Sequence, residues 1–142
     1  MKFLPDVNVI FPMLVSRHIH RTKAIEWFDT AKAEEVALCR IVRLGTLRLL
    51  CTSQIMGLDV LQPKEAFAAM ESLEVDERIV LVHEPDDLDF PLKKFVTPRT
   101  ASPNLWTDAY LAAFAYTAGL RLVSFDRGFS KFTGIDLQTL SA

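Results

Sequence analysis

The fold of this chain is constrained most strongly by the alternation of short apolar segments with longer segments of helical periodicity. Apolar runs of strand length predict strands at residues 2–5, 36–39, 79–83, 121–125 and, as an edge strand, 136–140. Between them, amphipathic patterns predict helices at residues 21–33, 41–51, 64–73, 86–95 and 108–118. Such alternation is typical of α/β domains, in which a parallel sheet is covered by helices on both faces.

Two of these helices have clear faces or ends. In segment 41–51, Leu44, Leu47 and Leu50 recur at helical spacing, and we expect them to point inward. Gly119 directly follows the segment 108–118 and is expected to cap that helix, because glycine readily adopts the left-handed conformation found there.

Length and composition are consistent with one domain spanning residues 1–142. Half of the residues are hydrophobic, and we find no internal repeat, low-complexity tract or linker. No signal peptide or membrane-length apolar run is present, so we expect a cytoplasmic protein without membrane contact. Cys39 and Cys51 lack the spacing of a metal or redox motif and are expected to be buried thiols.

Three isolated aspartates occur where such a fold would bring them together. Asp6 ends the first apolar run, Asp126 follows the run 121–125, and Asp108 begins a predicted helix. Ligands of parallel sheets bind beyond the carboxyl ends of the strands, and carboxylates that converge there bind hard cations such as Mg²⁺. Each aspartate alone is weak evidence, because the same residue also caps helices and forms turns.

With these motifs the sequence resembles the PIN domain family of metal-dependent ribonucleases, and more narrowly the VapC toxins of bacterial toxin–antitoxin pairs. The resemblance covers the full length of the chain. Its anchors are Asp6-Val-Asn8-Val, His20 with the segment 24–28, Thr107-Asp108-Ala-Tyr-Leu-Ala-Ala, and Ser124-Phe-Asp126-Arg-Gly-Phe. The resemblance implies a three-layer α/β/α domain with a central parallel sheet of four to five strands.

The same resemblance implies an active site and partners. Asp6, Asp108 and Asp126 would hold one or two Mg²⁺ or Mn²⁺ ions and hydrolyse RNA phosphodiester bonds. The residues expected to support the acids or contact the substrate are Asn8, Arg43, Thr107, Ser124 and Arg127. A cognate antitoxin protein and a homodimer are further expectations. His20 receives no ligand role from the resemblance, and we expect it to pack against or cap the helix that follows.

One position departs from the family pattern. VapC-like chains usually carry a further acid early in the helix after the second strand, and Arg43 occupies that position in this sequence. Three carboxylates still suffice for one Mg²⁺, because this ion keeps several waters, but a second ion becomes doubtful. Because a guanidinium among acids would relieve their repulsion, we hypothesise that Arg43 pairs with Asp6 or Asp108.

Three functions from different classes therefore remain open. The first is a metal-dependent endoribonuclease toxin. The second is a PIN fold that has lost catalysis through Arg43 and serves as an RNA-binding or protein-interaction module. The third is a flavodoxin-like or receiver-type domain with an acidic Mg²⁺ pocket, ranked last because no acceptor aspartate lies at a midway strand end. The net charge of −2 is not typical of a nucleic acid-binding protein, so an RNA-binding surface would need basic residues clustered on one part of the protein.

Overall fold

A computed structural model describes residues 1–141 as a five-stranded, entirely parallel sheet with helices around it. The strands are β1 (Phe3–Pro5), β2 (Val36–Cys39), β3 (Ile79–Val82), β4 (Arg121–Ser124) and β5 (Asp136–Thr139). The helices are α1 (Val7–Met13), α2 (Arg21–Phe28), α3 (Arg40–Leu50), α4 (Ser53–Met56), α5 (Pro63–Glu74), α6 (Asp89–Val96) and α7 (Leu105–Ala118). Short 3₁₀ turns occupy Gly57–Asp59 and Arg127–Lys131. The predicted α/β class and parallel sheet are confirmed.

The strand order is β3-β2-β1-β4-β5, so the direction of the chain across the sheet reverses between β1 and β4. The helices α3–α5 connect β2 to β3, which lies at one edge of the sheet. The helices α6 and α7 then connect β3 to β4, which lies on the other side of β1. Because crossovers between parallel strands are right-handed, these two sets of helices cover opposite faces of the sheet. The carboxyl ends of β1 and β4 flank the reversal, which is where open parallel sheets bind their ligands.

The core explains why the central strands are continuous apolar runs. Leu4, Val36 and Leu122 are completely buried, as expected for strands that are covered on both faces. By contrast β5 is an edge strand with partly and fully exposed residues, and it pairs with β4 in the register Arg121 to Asp136. No helix of the described residues 1–141 is long and apolar enough to cross a membrane.

Several predicted boundaries change for local reasons. The predicted helix 21–33 ends at Phe28, and the Thr30 hydroxyl donates to the Trp27 carbonyl just beyond its end. The predicted helix 86–95 starts only at Asp89, because Asp87 adopts the left-handed conformation with φ of 63°. Helix α7 starts at Leu105, three residues earlier than predicted, and Gly119 caps it with φ of 67° as expected. The short α4 was not predicted.

The burial of α3 differs from prediction at one position. Leu50 is buried and Leu47 is partly buried, but Leu44 is 55% exposed, so the expectation that all three point inward was wrong for Leu44. Cys39 is buried and Cys51 partly buried, and both are free thiols.

Gly45 sets the distance between α1 and α3. A Cβ atom at Gly45 would lie 2.8 Å from Cγ2 of Val7, closer than side chains approach one another. We therefore expect Gly45→Ala to lower the free energy of unfolding by about 1–3 kcal/mol through overpacking, despite the better helix propensity of alanine. Urea denaturation would measure the change.

Val7→Ala provides the control, since it removes the methyl groups that the new Cβ would meet. In the double variant the loss from Gly45→Ala should largely disappear, which makes the two substitutions strongly non-additive. Additive effects would contradict the close approach between these helices.

Candidate metal centre

The topology brings the three predicted aspartates to one cavity. Asp6 directly follows β1, Asp126 lies two residues beyond β4, and Asp108 lies in the first turn of α7. All three border a cavity of about 400 Å³ at the carboxyl edge of the sheet, together with Asn8 and Asn104. The sequence motifs that are far apart along the chain therefore meet at the reversal of strand order.

Ser124 connects the two strand ends through its fully buried hydroxyl. Its Oγ donates to Oδ2 of Asp6 at 3.1 Å and accepts from Nδ2 of Asn8 at 3.0 Å. The backbone N–H of Asp126 also donates to this oxygen, at 2.9 Å, and the N–H of Phe125 donates to Oδ1 of Asn8 at 3.1 Å. Ser124 and Asn8 therefore orient Asp6 and the start of the Asp126 turn.

Two of the carboxylates also terminate secondary structure. Asp6 caps α1, since its Oδ1 accepts from the N–H of Val7 at 2.7 Å. Asp126 caps the following 3₁₀ turn, since its Oδ1 accepts from the N–H of Gly128 at 2.7 Å. These caps are the structural role that isolated strand-end aspartates commonly have, and here they coexist with exposure to the cavity.

The electrostatics of the cavity disfavour three negative charges. Burial raises the pKa of Asp6 to about 6, and the charges of Asp108 and Asp126 add to the rise although hydrogen bonds from Val7 and Ser124 oppose it. Burial also raises the pKa of Asp108, and Asp126 adds to that rise, while Lys131 partly offsets it. Among residues 1–141, none of the three carboxylates forms an ion pair with a lysine or arginine. The cavity thus brings together carboxylates whose charge is not balanced by a direct ion pair.

The donor set suits a hard, hydrated cation. It consists of oxygens, which Mg²⁺ and Mn²⁺ prefer, and it lacks a neutralising cation within contact distance. Within residues 1–141, however, no group of three or more histidine, cysteine, aspartate or glutamate side chains is close enough to hold an ion by direct contacts alone. An ion that keeps part of its water shell fits this arrangement, because water can bridge it to the more distant carboxylate.

Arg43 does not enter the cavity. Its Nε donates to Oε1 of Glu74 and its Nη2 donates to Oε2 of the same residue at 3.2 Å, and the guanidinium lies 5.5 Å from the ring centre of Phe67 on α5. The hypothesis that Arg43 pairs with Asp6 or Asp108 was therefore wrong. The reason is helical phase: the α3 residues that line the cavities around Asp6 follow a different stripe of the helix, and position 43 points to α5.

Two other predicted supporting residues, Thr107 and Arg127, form no hydrogen bond or ion pair with the three carboxylates within residues 1–141. Thr107 is exposed, and its hydroxyl donates to the carbonyl of Asn104 at 3.2 Å. Arg127 is exposed on the 3₁₀ turn and forms no ion pair within the described chain. A substrate-binding role for either residue stays a prediction.

A second cavity shows residues that the sequence analysis did not assign to the site. It has a volume of about 370 Å³, shares Asp6, Asp108 and Asn104 with the first, and continues along α3. Its α3 lining consists of Ile41, Val42, Leu44, Gly45 and Arg48. The spacing of 41, 44, 45 and 48 is the helical stripe that could have identified this face, and the exposed Leu44 belongs to it.

Comparison with known proteins places this geometry in a family. The model of the family described as PIN domain matches residues 3–135. Ribonuclease VapC41 of Mycobacterium tuberculosis is 37% identical over 143 residues, covering 97% of this chain and 98% of that protein. Among solved structures, VapBC2 from Rickettsia felis superposes with a TM-score of 0.70 at 12% identity, covering 99% of this chain and all of that chain. VapC20 of M. tuberculosis, a toxin that cleaves the sarcin-ricin loop, gives a TM-score of 0.68 at 18% identity, covering 94% and 96%.

The raised pKa of Asp6 predicts that this residue costs stability. Its pKa is about 6 in the folded protein against 3.8 in the unfolded chain, so stability falls as the pH rises from about 4 to 6. Asp6→Asn removes this penalty. We expect it to raise the free energy of unfolding at pH 7.5 by about 1–3 kcal/mol, with the gain shrinking at pH 5 and small at pH 4.

Urea denaturation without added metal at the three pH values would measure this effect. The exposed Asp59 offers the matched control, because Asp59→Asn makes the same chemical change outside the acid-lined cavity. A gain of equal size at every pH, or one shared by Asp59→Asn, would contradict the assignment.

The position of Arg43 predicts a structural effect of its replacement. Its side chain and that of Glu74 are only 16% and 11% exposed, so Arg43→Glu would place two carboxylates against each other at a largely buried contact. We expect a loss of about 3–5 kcal/mol of unfolding free energy, largely recovered when Glu74→Arg is added. As a control, Arg121→Glu makes the same charge change in the exposed Arg121–Asp136 pair, and it should lower the free energy of unfolding by about 1 kcal/mol or less. No recovery in the double variant would contradict the pairing.

Proposed function

The chain belongs to the PIN domain family, and on that premise we propose that it is a metal-dependent endoribonuclease of the VapC type. The observation that carries the proposal is the single cavity bordered by Asp6, Asp108 and Asp126, none of which forms an ion pair with a lysine or arginine among residues 1–141. The substantial identity to a ribonuclease along nearly the whole chain supports the same chemistry. We further propose that residues 1–142 act as one domain.

We assign the metal to Asp6, Asp108 and Asp126, held directly or through water. A bound Mg²⁺ or Mn²⁺ ion would activate a water molecule and offset the charge that develops on the scissile phosphate. Asp6 is oriented for this role by its hydrogen bonds with Ser124 and Val7. Above its pKa of about 6 the Asp6 carboxyl is ionised, so at neutral pH it carries the negative charge that attracts a cation.

Cations of the chain itself surround the acids and are suited to hold phosphates. Arg48 lines the cavity along α3, and Lys131 is close enough to Asp108 to oppose the rise of its pKa. A guanidinium binds a phosphate by parallel hydrogen bonds, and an ammonium binds it as a point charge. We propose that these two residues, with Arg127 as a further candidate, bind the RNA backbone on either side of the scissile bond.

The alternative of an inactive PIN fold rests on the replacement of an acid by Arg43. Arg43 does not add a cation to the acidic cavity, because it is paired with Glu74 on α5. The fourth carboxylate is still missing from this position, which favours one bound ion over two. The remaining three acids satisfy the needs of a single Mg²⁺ ion.

We also propose an antitoxin protein as partner, because several similar folds were solved as VapBC complexes. A homodimer and a cytoplasmic location stay sequence-based predictions.

Cleavage of RNA tests the proposal directly. We expect the purified protein to cut a mixed pool of transfer and ribosomal RNA with Mg²⁺ or Mn²⁺ but not with EDTA. Asp6→Asn and Asp126→Asn should each lower the rate by at least about a hundred-fold, since each removes a group that holds the metal. Denaturing gels of the products would measure this loss, and Asp86→Asn, on an exposed turn after β3 and outside these cavities, serves as the control that retains activity.

A thermal shift on adding Mn²⁺ separates metal binding from catalysis. The unmodified protein should be stabilised by the ion and Asp6→Asn much less, because binding to the folded state raises stability by mass action. Cutting that persists in EDTA or in both asparagine variants would refute the proposal.

A further inference from the structure

Four aromatic side chains form a continuous ladder beside the acids. The ring of His20 stacks on Phe125, with centroids 4.5 Å apart and an angle of 19° between the planes. His18 lies 5.5 Å from His20 at 41°, and Phe11 meets His18 edge-on at 5.6 Å. Because Phe125 immediately precedes Asp126, this ring ladder of Phe11, His18, His20 and Phe125 is attached to the acidic centre.

The ladder forms a wall of two adjoining cavities. The cavity of about 400 Å³ that contains the three acids is also bordered by Phe11, His18 and His20. These three residues and Ile55 border a further cavity of about 540 Å³, which extends to Arg17 and Asp59. The cleft therefore runs from carboxylates, past aromatic rings, to an end that carries both a guanidinium and a carboxylate.

The geometry fixes a hydrogen-bond donor in the wall. Nδ1 of His18 accepts from the backbone N–H of His20 at 3.0 Å, so that nitrogen carries no proton. The neutral ring then carries its proton on Nε2, which is a donor. Burial and the neighbouring His20 lower the pKa of His18, which agrees with a neutral ring. No hydrogen bond of Nε2 to another group is found within the described residues.

We propose that the ring ladder is a nucleobase subsite that binds the base next to the scissile phosphate of single-stranded RNA. The inference deepens the proposed ribonuclease function and rests on it, since it requires an RNA phosphate at the acids. His20, backed by Phe125, supplies the stacking surface, and His18 donates through Nε2 to a ring nitrogen or carbonyl oxygen of the base. Arg17 binds a phosphate farther along the strand.

The bases and phosphates of single-stranded RNA are chemically complementary to the groups that line this cleft. Its unpaired bases are flat and apolar on their faces but carry acceptors on their edges, and proteins bind them by stacking on aromatic side chains. Its phosphates are anions at regular intervals, which suits a cation at one end of the cleft and a metal-binding cluster at the other. The exposed Ile55, which lines the same two cavities as the rings, would provide an apolar contact for the base.

The test measures binding rather than cleavage. The full chain carrying Asp6→Asn, which should cut at least about a hundred-fold more slowly, is titrated in Mg²⁺ against fluorescein-labelled eight-nucleotide oligo(A), oligo(C) and oligo(U), with anisotropy as the readout. An abasic eight-mer with the same phosphates separates base stacking from backbone attraction. We expect the base-bearing strands to bind roughly ten-fold more tightly than the abasic strand, as stacking of one base would give.

Substitutions in the ladder test each ring. In the same background, His20→Ala and His20→Leu should lose that roughly ten-fold advantage while leaving abasic binding unchanged, and His20→Phe should retain it. His20→Leu preserves apolar packing against Phe125, so its loss of binding would not reflect unfolding; urea denaturation of each variant checks this. His18→Phe keeps a ring without the donor, so the differences among the three base-bearing strands should narrow.

The exposed His83 after β3 offers the matched control, and His83→Ala should change nothing. Equal affinity for base-bearing and abasic strands, or unchanged binding after His20→Ala and His20→Leu, would overturn the subsite and leave the cleft to a protein partner. Absence of binding to every oligonucleotide would also overturn it. These outcomes are independent of RNA cleavage by the unmodified chain, so the subsite and the ribonuclease proposal fail separately.

Discussion

The parallel pairing of β1 with β4 is the interaction on which the rest of the structure depends. It joins the first strand of the chain to the fourth, at the point where the order of strands reverses. The pairing aligns two strand ends, so that Asp6 and Ser124 come within hydrogen-bond distance. Helix α7, which connects back to β4, then brings Asp108 to the same edge.

The acidic site keeps its negative charge at the expense of folding stability. Elsewhere in the protein the partly buried Arg43 has a carboxylate partner in Glu74, whereas the acids at the sheet edge are stabilised by hydroxyl and backbone N–H donors. Neutral donors hold a carboxylate in place without cancelling its charge. The molecule thus tolerates repulsion among Asp6, Asp108 and Asp126, and that repulsion is what an incoming cation would relieve.

Most of the fold and the position of the acids were predictable from sequence because both depend on strand periodicity. Buried strands are apolar runs, and Asp6 and Asp126 follow such runs directly. The direction of Arg43 was not predictable in the same way, since adjacent helical positions differ by about 100° and a small error in phase turns a side chain to another neighbour. The ring ladder was missed because His20 meets Phe125, and His18 meets Phe11, only through tertiary packing.

The hydrogen bonds of Ser124 join residues 116 and 118 positions apart in the chain, which has a consequence for biosynthesis. Chains are made from the N-terminus, so Asp6 and Asn8 emerge from the ribosome long before Ser124 and Asp126 exist. The acidic cavity therefore cannot assemble until the segment with β4 and Asp126 has been synthesised. A nascent chain that has not reached this segment carries no complete site, so the ribosome that makes it is not exposed to one during that time.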